Sequence, residues 1–449
     1  MVPAVAPRPG RRGAALTTAL GGLRVRHSMQ ASLLTAVAIA MLAGVVEAAA
    51  DGHTEARSRP APTLLLPPVA LTAADLVIVV NDADPASREI GAYYAERRGI
   101  AADHVVRVRF APGQPVLAPA EFERLRAELE ARQPVGVQAY ALAWTLPYRV
   151  GCMSITSAFA FGFDAAWCAD GCAPTRSSPY FDSDSTRPFD THRLRPAMLL
   201  AGADAAEVRG LIDRGLRAEN RWPAGTGYLV STQDSARNVR AAGYARTRTV
   251  LEGAYPIVRV DTDALVDRGD VMFEFTGAAR IAGMATNRFL DGAIADHLTS
   301  YGGVLDGSPH TSALEWLAAG ATGSYGTVVE PCNYRAKFPE PELVMKRYLG
   351  GETLIEAYWK SVRMPGQGVF VGDPLARPFG GERVERAGDG WRVRVRALRP
   401  GRYLVQQARS GVGPYRSVGR LEVVGTGVRE LRLPADADRV VRLLPQPSP

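Results

Sequence analysis

Short apolar runs alternate with helical patterns along most of the chain. The run from Leu76 to Val80 is continuously apolar, and a pattern of period 3.6 follows it as far as Gly99. Continuous apolar runs are typical of parallel strands that helices cover on both faces. Residues 71–380 are therefore expected to form a three-layer α/β domain with a mostly parallel sheet. Later segments predict strands over 104–110, 138–144, 196–200, 228–231, 255–260, 271–275 and 324–329, helices over 120–132, 205–219, 235–251 and 312–319, and another helix ending over 296–301.

Two segments break this alternation. Residues 151–193 are rich in Ser, Phe, Asp and Cys and have little helical period, which predicts a long insertion running over the sheet edge. After Phe379 the apolar residues alternate with period two, as in Trp391–Arg396, and turns containing Gly and Pro separate the runs. Residues 381–449 are therefore expected to form a small β-sandwich.

The first 50 residues have the pattern of an export signal. Arg24 and Arg26 form a basic flank, Leu33–Val46 is apolar, and Ala48 and Ala50 supply the small residues that a signal peptidase accepts. The apolar run is short for a membrane-spanning helix, although an uncleaved anchor remains an alternative. We expect an exported, periplasmic or extracellular protein without a membrane span after signal removal. A Pro-rich linker is expected over residues 51–70.

Charge narrows the classes of partner. The signal segment holds five arginines and one glutamate, so it carries +4 of the formal net charge of +7 and leaves +3 for residues 51–449. No stretch interleaves Lys and Arg with aromatic residues. Nucleic-acid binding is therefore not expected.

The chain has four cysteines, at positions 152, 168, 172 and 332. An even number in an oxidising compartment favours disulfides. Three pairings of four cysteines are possible. The short spacing favours a Cys168–Cys172 bridge, and Cys332 would then pair with Cys152. A zinc site is the alternative, but no His lies at ligand spacing near Cys168 and Cys172.

Several motifs resemble known families. The segments 301–305, 313–321, 326–332 and Gly372-Asp373-Pro374 resemble gingipain-type cysteine peptidases, in which a helix, Gly-Ala and a strand end a caspase-like α/β domain. An immunoglobulin-like domain follows in those enzymes. More closely, Phe338–Pro341, Glu356–Ser361 and Gly366–Ala376 resemble a bacterial family of unknown function associated with the exosortase (PEP-CTERM) protein-sorting system. This resemblance implies exported proteins or peptides of that pathway as partners.

The catalytic dyad of caspase-like peptidases is missing from the expected places. Such enzymes place a His and a Cys at the ends of two neighbouring strands, so that the imidazole activates the thiolate. Here the first strand ends in Thr276-Gly277-Ala278, and the second region, Thr299–Gly303, contains no Cys. The resemblance therefore does not carry peptidase activity with it.

Cys332 is the one candidate nucleophile outside the insertion. It follows a predicted strand, and the nearest imidazoles in sequence are His310, in a loop, and His297, in a predicted helix. The alternatives are a structural disulfide for Cys332 and packing or surface roles for both histidines.

Clustered carboxylates offer a weak metal site. Asp182, Asp184 and Asp190 could contribute oxygen ligands to calcium, but three carboxylates fall short of six or more ligands. A solvated loop is the alternative. Asn81-Asp82 and Asp204 follow predicted strands, where open α/β sheets bind ligands, and Asp204 is also expected to cap a helix. No phosphate or dinucleotide fingerprint follows a strand, so no cofactor is expected.

Two hypotheses follow. The first is an exported accessory or binding protein of an envelope protein-sorting system, built on a peptidase-like domain that lacks the dyad. The second is an active cysteine hydrolase of exported peptides that uses Cys332 with His310 or His297.

Overall fold

The computed structural model describes residues 60–169, 172–434 and 437–446. The expected export signal over residues 1–50 lies outside these residues. The α-helices are α1 Pro85–Arg98, α2 Pro119–Arg132, α3 Ile155–Phe161, α4 Pro188–His192, α5 Ala205–Ala218, α6 Tyr244–Val250, α7 Ala313–Ala318, α8 Pro341–Leu349 and α9 Leu354–Trp359. The strands are β1 Thr63–Leu65, β2 Leu76–Asn81, β3 Val105–Val108, β4 Val116–Leu117, β5 Ala139–Leu142, β6 Arg149–Val150, β7 Met153–Ser154, β8 Ala197–Leu199, β9 Thr226–Ser231, β10 Ile257–Asp261, β11 Val271–Thr276, β12 Phe289–His297, β13 Gly323–Thr327, β14 Gly368–Gly372, β15 Glu382–Ala387, β16 Gly390–Val395, β17 Gly401–Ala408, β18 Arg416–Val423, β19 Arg429–Leu433 and β20 Val440–Pro445.

The strands of a ten-stranded sheet lie between residues 76 and 372. Its strand order is β10-β9-β11-β12-β13-β14-β8-β5-β2-β3. Neighbours from β10 to β13 are parallel, as are neighbours from β8 to β3, and β14 runs antiparallel to β13. A single residue pair, Val371 with Leu199, joins β14 to β8. The predicted α/β class with a mostly parallel sheet is therefore confirmed.

Helices cover both faces of this sheet. In β2, Ile78 and Val80 contribute to a core with side chains of α1, α8 and α9, whereas Val77 and Val79 contribute to a second core with side chains of α2 and α3. All four valine and isoleucine side chains are fully buried. The continuous apolar run thus packs on both faces, as expected for a strand inside three layers.

Local capping signals placed two helices correctly. The Asp204 carboxylate accepts a hydrogen bond from Glu207 N at 2.9 Å and begins α5. Ser312 and Glu315 form the capping box that begins α7. The helix expected to end over residues 296–301 is wrong, because residues 289–297 form β12 between β11 and β13. His297 therefore ends a strand.

The insertion over residues 151–193 contains more regular structure than expected. Its helix α3 is almost wholly buried and packs on β8 and β14. A disulfide joins Cys152 to Cys168 just before and after this helix. Ala158 and Phe159 of this helix belong to the second core, so the segment extends that core.

The second disulfide joins Cys172 to Cys332. Disulfide bonding is as predicted, but the expected Cys168–Cys172 and Cys152–Cys332 pairs are wrong, because the fold brings Cys168 beside Cys152 instead. Two disulfides are consistent with an exported protein. Among the described residues, no helix has both the length and the apolar character needed to cross a membrane.

The strands after residue 380 belong to two further sheets, one of which also includes β1. One has the order β1-β20-β17-β18 and the other β15-β16-β19. Val395 from one sheet and Val405 and Leu443 from the other share a core. Strand β1 pairs in parallel with β20, so the linker expected over residues 51–70 is interrupted by a strand whose Leu64 is buried in that core.

Candidate binding site at the carboxyl edge of the sheet

The place expected for a catalytic dyad lies where β11 and β12 end. Thr276 and His297 are paired residues of these parallel strands. Beyond β11, Gly277 packs so closely on the backbone of Arg237 that a Cβ would overlap it, and Thr232 Oγ1 donates to Gly277 O at 2.6 Å. Residue 278 is an alanine. The end of β11 is therefore closed by backbone and carries no imidazole.

Cys332 is not a free thiol. Its sulfur is bonded to Cys172, and its backbone N donates to Glu330 Oε1 at 2.7 Å. The same Glu330 oxygen accepts a hydrogen bond from Ser300 Oγ at 2.8 Å. A disulfide sulfur has no thiolate to attack with, so the candidate role of Cys332 as a nucleophile is wrong in this structure. Cys332 instead has the other role considered for it, in a structural disulfide.

His310 holds a loop. Its Nδ1 lies within hydrogen-bond distance of Ser300 O and 2.9 Å from Thr299 Oγ1. Because a carbonyl only accepts, Nδ1 carries the proton and donates. Arg237 Nε also donates to Thr299 Oγ1, at 3.1 Å. These hydrogen bonds therefore hold the loop that contains His310 against the segment that follows β12. No free thiol lies beside His310, because all four cysteines form disulfides.

His297 is buried, with 1% of its surface exposed. Trp316 Nε1 donates to His297 Nδ1 at 2.9 Å, which places the imidazole proton on Nε2. Burial lowers the pKa of His297 to about 3. A neutral, enclosed imidazole that accepts from an indole is a packing residue.

Glu274 was missed by the sequence reasoning. It is 1% exposed, and among the described residues Oε2 has no hydrogen-bond partner. Burial raises its pKa to about 8. The sequence contains a signal for this residue, because Glu274 is the one acidic residue in the apolar run of β11.

Arg240 was also missed. Its guanidinium donates to Asp296 Oδ1 at 2.6 Å and to Thr276 O at 2.7 Å, which joins the ends of β11 and β12. Burial raises the pKa of Asp296, and the Arg240 charge opposes that effect. This buried pair is a structural clamp on the face opposite His297.

The three aspartates considered for calcium do not converge. Asp182 and Asp184 each accept from Arg347 at 2.6 Å. Asp190 instead pairs with Arg187 and accepts from Gln138 Nε2 at 3.2 Å. Within the described ranges no group of three or more His, Cys, Asp or Glu side chains could hold a metal ion.

A pocket of about 430 Å³ opens at the carboxyl ends of the strands. Residues that follow β2, β5, β8 and β12 all contribute to it, so loops from both halves of the sheet meet there. This is the edge where open α/β sheets bind ligands. Its apolar wall comprises Ile90, Trp144, Leu146, Val208, Leu305 and Leu314.

The polar side of the pocket is acidic. Asp84, Asp204 and Asp306 line it, and none of its lining residues is Lys, Arg or His. Asp84 Oδ1 accepts from Ala86 N at 3.0 Å and Asp204 Oδ1 from Glu207 N, so each carboxylate keeps its second oxygen for another donor. An apolar wall beside carboxylates suits a cationic group on an aliphatic stem.

The sequence indicates part of this pocket. Asp204 lies at a strand end as predicted, whereas Asp84 and Asp306 are not among the predicted candidates. Asn81 is buried, and its amide group bonds the backbone of Phe110, while Asp82 pairs with Arg107 outside the pocket. Both of these residues are structural.

Comparison of the chain with protein-family models, with curated proteins and with solved structures finds no match.

Proposed function

We propose that this protein is an exported accessory component of an envelope protein-sorting system, which binds peptides of exported proteins and does not cleave them. In this proposal the protein consists of a caspase-like α/β domain followed by an immunoglobulin-like β-sandwich. The peptide binds at the acidic pocket on the carboxyl edge of the sheet.

The order of elements supports the framework. Helix α7, Gly320-Ala321 and β13 follow one another, as in the gingipain-like unit. Gly372-Asp373-Pro374 ends β14, and the two smaller sheets come next. The Asp373 carboxylate is fully buried, pairs with Arg98 and accepts from Tyr94 OH at 2.7 Å, so this turn anchors the end of the domain.

The observation that carries the binding proposal is the acidic pocket. Its volume of about 430 Å³ lies within the usual range of small-ligand sites. An Arg or Lys side chain would lay its stem on Trp144 and Leu305 and donate to the free oxygens of Asp84 and Asp204. We therefore assign a basic residue of the bound peptide to this pocket.

Cysteine chemistry supports binding over hydrolysis. All four cysteines form disulfides, so the hydrolase hypothesis has no thiolate. His297 is enclosed and His310 bonds loop residues. Nothing in the described residues favours the hydrolase as a second proposal.

The test compares binding with cleavage. The full chain is incubated with a fluorescently tagged tail peptide that contains one arginine, from a protein of the sorting pathway. Anisotropy measures binding, and mass spectrometry measures the length of the recovered peptide. The triple variant Asp84→Asn/Asp204→Asn/Asp306→Asn removes the charges while asparagine still caps α1 and α5.

We expect an intact peptide and at least a tenfold weaker affinity for the triple variant. Asp103→Asn is the control, because Asp103 is exposed and does not line the pocket. A shortened peptide would contradict the proposal, as would equal affinities of the triple variant and the wild type.

A further inference from the structure

Strand β18 forms one edge of the four-stranded C-terminal sheet. It is eight residues long and pairs with β17, and no other described strand lies on its outer side. Residues 416–420 are exposed in succession, without the alternation of a strand that has one covered face. An edge of this length presents a row of unpaired backbone N–H and C=O groups.

A cleft of about 460 Å³ lies between β18 and β19, which belong to different sheets. Val405, Leu421, Leu431 and Leu433 line it together with charged residues. Leu421 and Leu431 are only partly buried, although they pack on the shared core of the two sheets. The apolar interior is therefore open along the edge of β18.

Gly419 leaves space in this cleft. It is paired with Val405, whose side chain belongs to the core, so position 419 faces the interior. A Cβ at Gly419 would meet no atom within 4 Å. Side chains of an added strand would find room here.

Arginine dominates the charge around the cleft. Residues 381–449 contain 14 arginines and no lysine, against seven acidic residues. Arg416, Arg420 and Arg432 line the cleft. Arg416 pairs with Asp438 and Arg432 with Glu430, whereas Arg420 is exposed and has no carboxylate within 4.0 Å among the described residues. Guanidinium groups in this setting favour carboxylates.

The same sheet already holds a strand from a remote part of the chain. At its opposite edge, β1 pairs with β20 over three residues, and Leu64 of β1 enters the core. Sheet extension with one apolar side chain inward is thus part of this architecture.

We propose that β18 binds an extended peptide of alternating apolar and acidic residues as an additional strand. Backbone hydrogen bonds to β18 provide affinity, the apolar side chains enter the cleft over Gly419, and the acidic side chains face the arginines. This site is independent of the acidic pocket, which selects the opposite charge.

The experiment uses the full chain and a labelled eight-residue peptide of alternating valine and glutamate. Comparison peptides replace every glutamate with lysine or place a proline at the centre. Gly419→Phe fills the cleft. Gly411→Phe is its matched control, because Gly411 is also in open space and also lacks a left-handed φ. Circular dichroism and thermal unfolding check that each variant folds.

We expect the valine–glutamate peptide to bind the wild type and Gly411→Phe equally, and Gly419→Phe at least tenfold more weakly. Arg420→Gln should weaken binding several-fold, and the proline and lysine peptides should not bind. No binding, equal binding of the lysine peptide, or full binding by folded Gly419→Phe would overturn the proposal. Binding of phosphatidylglycerol vesicles instead, lost in Arg420→Gln and retained in Gly419→Phe, would assign the arginines to a lipid surface and also overturn it.

Discussion

Glu274 and His297 are buried without charge on the same face of neighbouring strands. Glu274 lies two residues before Thr276, the partner of His297, so both side chains point to the side that α7 covers. Burial raises the pKa of Glu274 to about 8 and lowers that of His297 to about 3. In an unfolded chain the pKa values of these two groups are about 4.3 and about 6.5.

The combined contribution of these two groups to the free energy of unfolding is expected to depend on pH. Between about pH 4.3 and 6.5, folding takes up a proton at Glu274 and releases one at His297, so the two effects cancel. Above about pH 6.5 only Glu274 still takes up a proton, because His297 is then neutral in both states. The contribution therefore falls as pH rises from 6.5 to 8, by about 1.4 kcal/mol per pH unit.

Single variants should separate the two effects. In Glu274→Met only His297 remains, so the free energy of unfolding, relative to the wild type, should rise by about 2–3 kcal/mol between pH 4.5 and 6.5. In His297→Gln only Glu274 remains, and the difference should have the opposite sign. Urea unfolding at a series of pH values measures both. Parallel profiles of the variants and the wild type would contradict the burial of these groups.

At the scale of elements, the two disulfides close loops of very different length. Cys152 and Cys168 are 16 residues apart, whereas Cys172 and Cys332 are 160 apart. The longer bridge fixes a loop of the insertion to the segment after β13. A longer loop restricts the unfolded chain more strongly.

Removal of the longer bridge should therefore cost more. Cys172→Ser/Cys332→Ser is expected to lower the free energy of unfolding by about 4–5 kcal/mol, and Cys152→Ser/Cys168→Ser by about 3 kcal/mol. Urea unfolding of the oxidised proteins gives both values, with the reduced wild type as a control for their sum. The reverse order would show that the pairing or the loop argument is wrong.

At the scale of the whole molecule, the chain passes between the C-terminal sheets and the α/β domain twice, from β1 to β2 and from β14 to β15. Side-chain contacts also join the two parts. Strand β1 precedes the ten-stranded sheet in sequence but belongs to a C-terminal sheet. Arg399 pairs with the buried Glu352 at 3.5 Å, and Arg396 donates to Ala254 O at 3.3 Å. These contacts couple the two parts.

We therefore expect the two parts to unfold together. Hydrogen exchange measured by mass spectrometry should give the same opening free energy for the core of β2 and β5 as for β16 and β17. Leu64→Asp, which places a charge in the C-terminal core, should lower both values by about 2–4 kcal/mol. A lower value for β16 and β17 alone, in the wild type or the variant, would contradict this coupling.

Local patterns predicted the elements that neighbouring residues specify. The apolar run of β2, the Asp204 cap of α5 and the Ser312 capping box of α7 each act within a few residues. Strand β12 was mistaken for the end of a helix because its small residues, such as Ala293 and Ala295, take their conformation from β11 and β13. Strand β1 was missed because its partner lies near the other end of the chain.

The pocket could be predicted only in part for the same reason. A strand end marks Asp204 as a candidate, but Asp84 and Asp306 belong to the pocket only because the loops after β2, β5, β8 and β12 meet there. The disulfide pairing likewise depends on which loops the fold brings together. The residue types therefore indicate which side chains could line the pocket or form disulfides, and the tertiary structure determines which of them do so.

The central claim is that the acidic pocket binds a cationic side chain. The most direct measurement is a cycle of four dissociation constants, obtained by calorimetry for a seven-residue peptide with a central arginine or its neutral analogue citrulline. Each peptide is titrated into the wild type and into Asp84→Asn/Asp204→Asn/Asp306→Asn. We predict that citrulline weakens binding to the wild type at least tenfold and has no effect on binding to the variant. An equal loss for both proteins would show that the arginine binds elsewhere and would contradict the account.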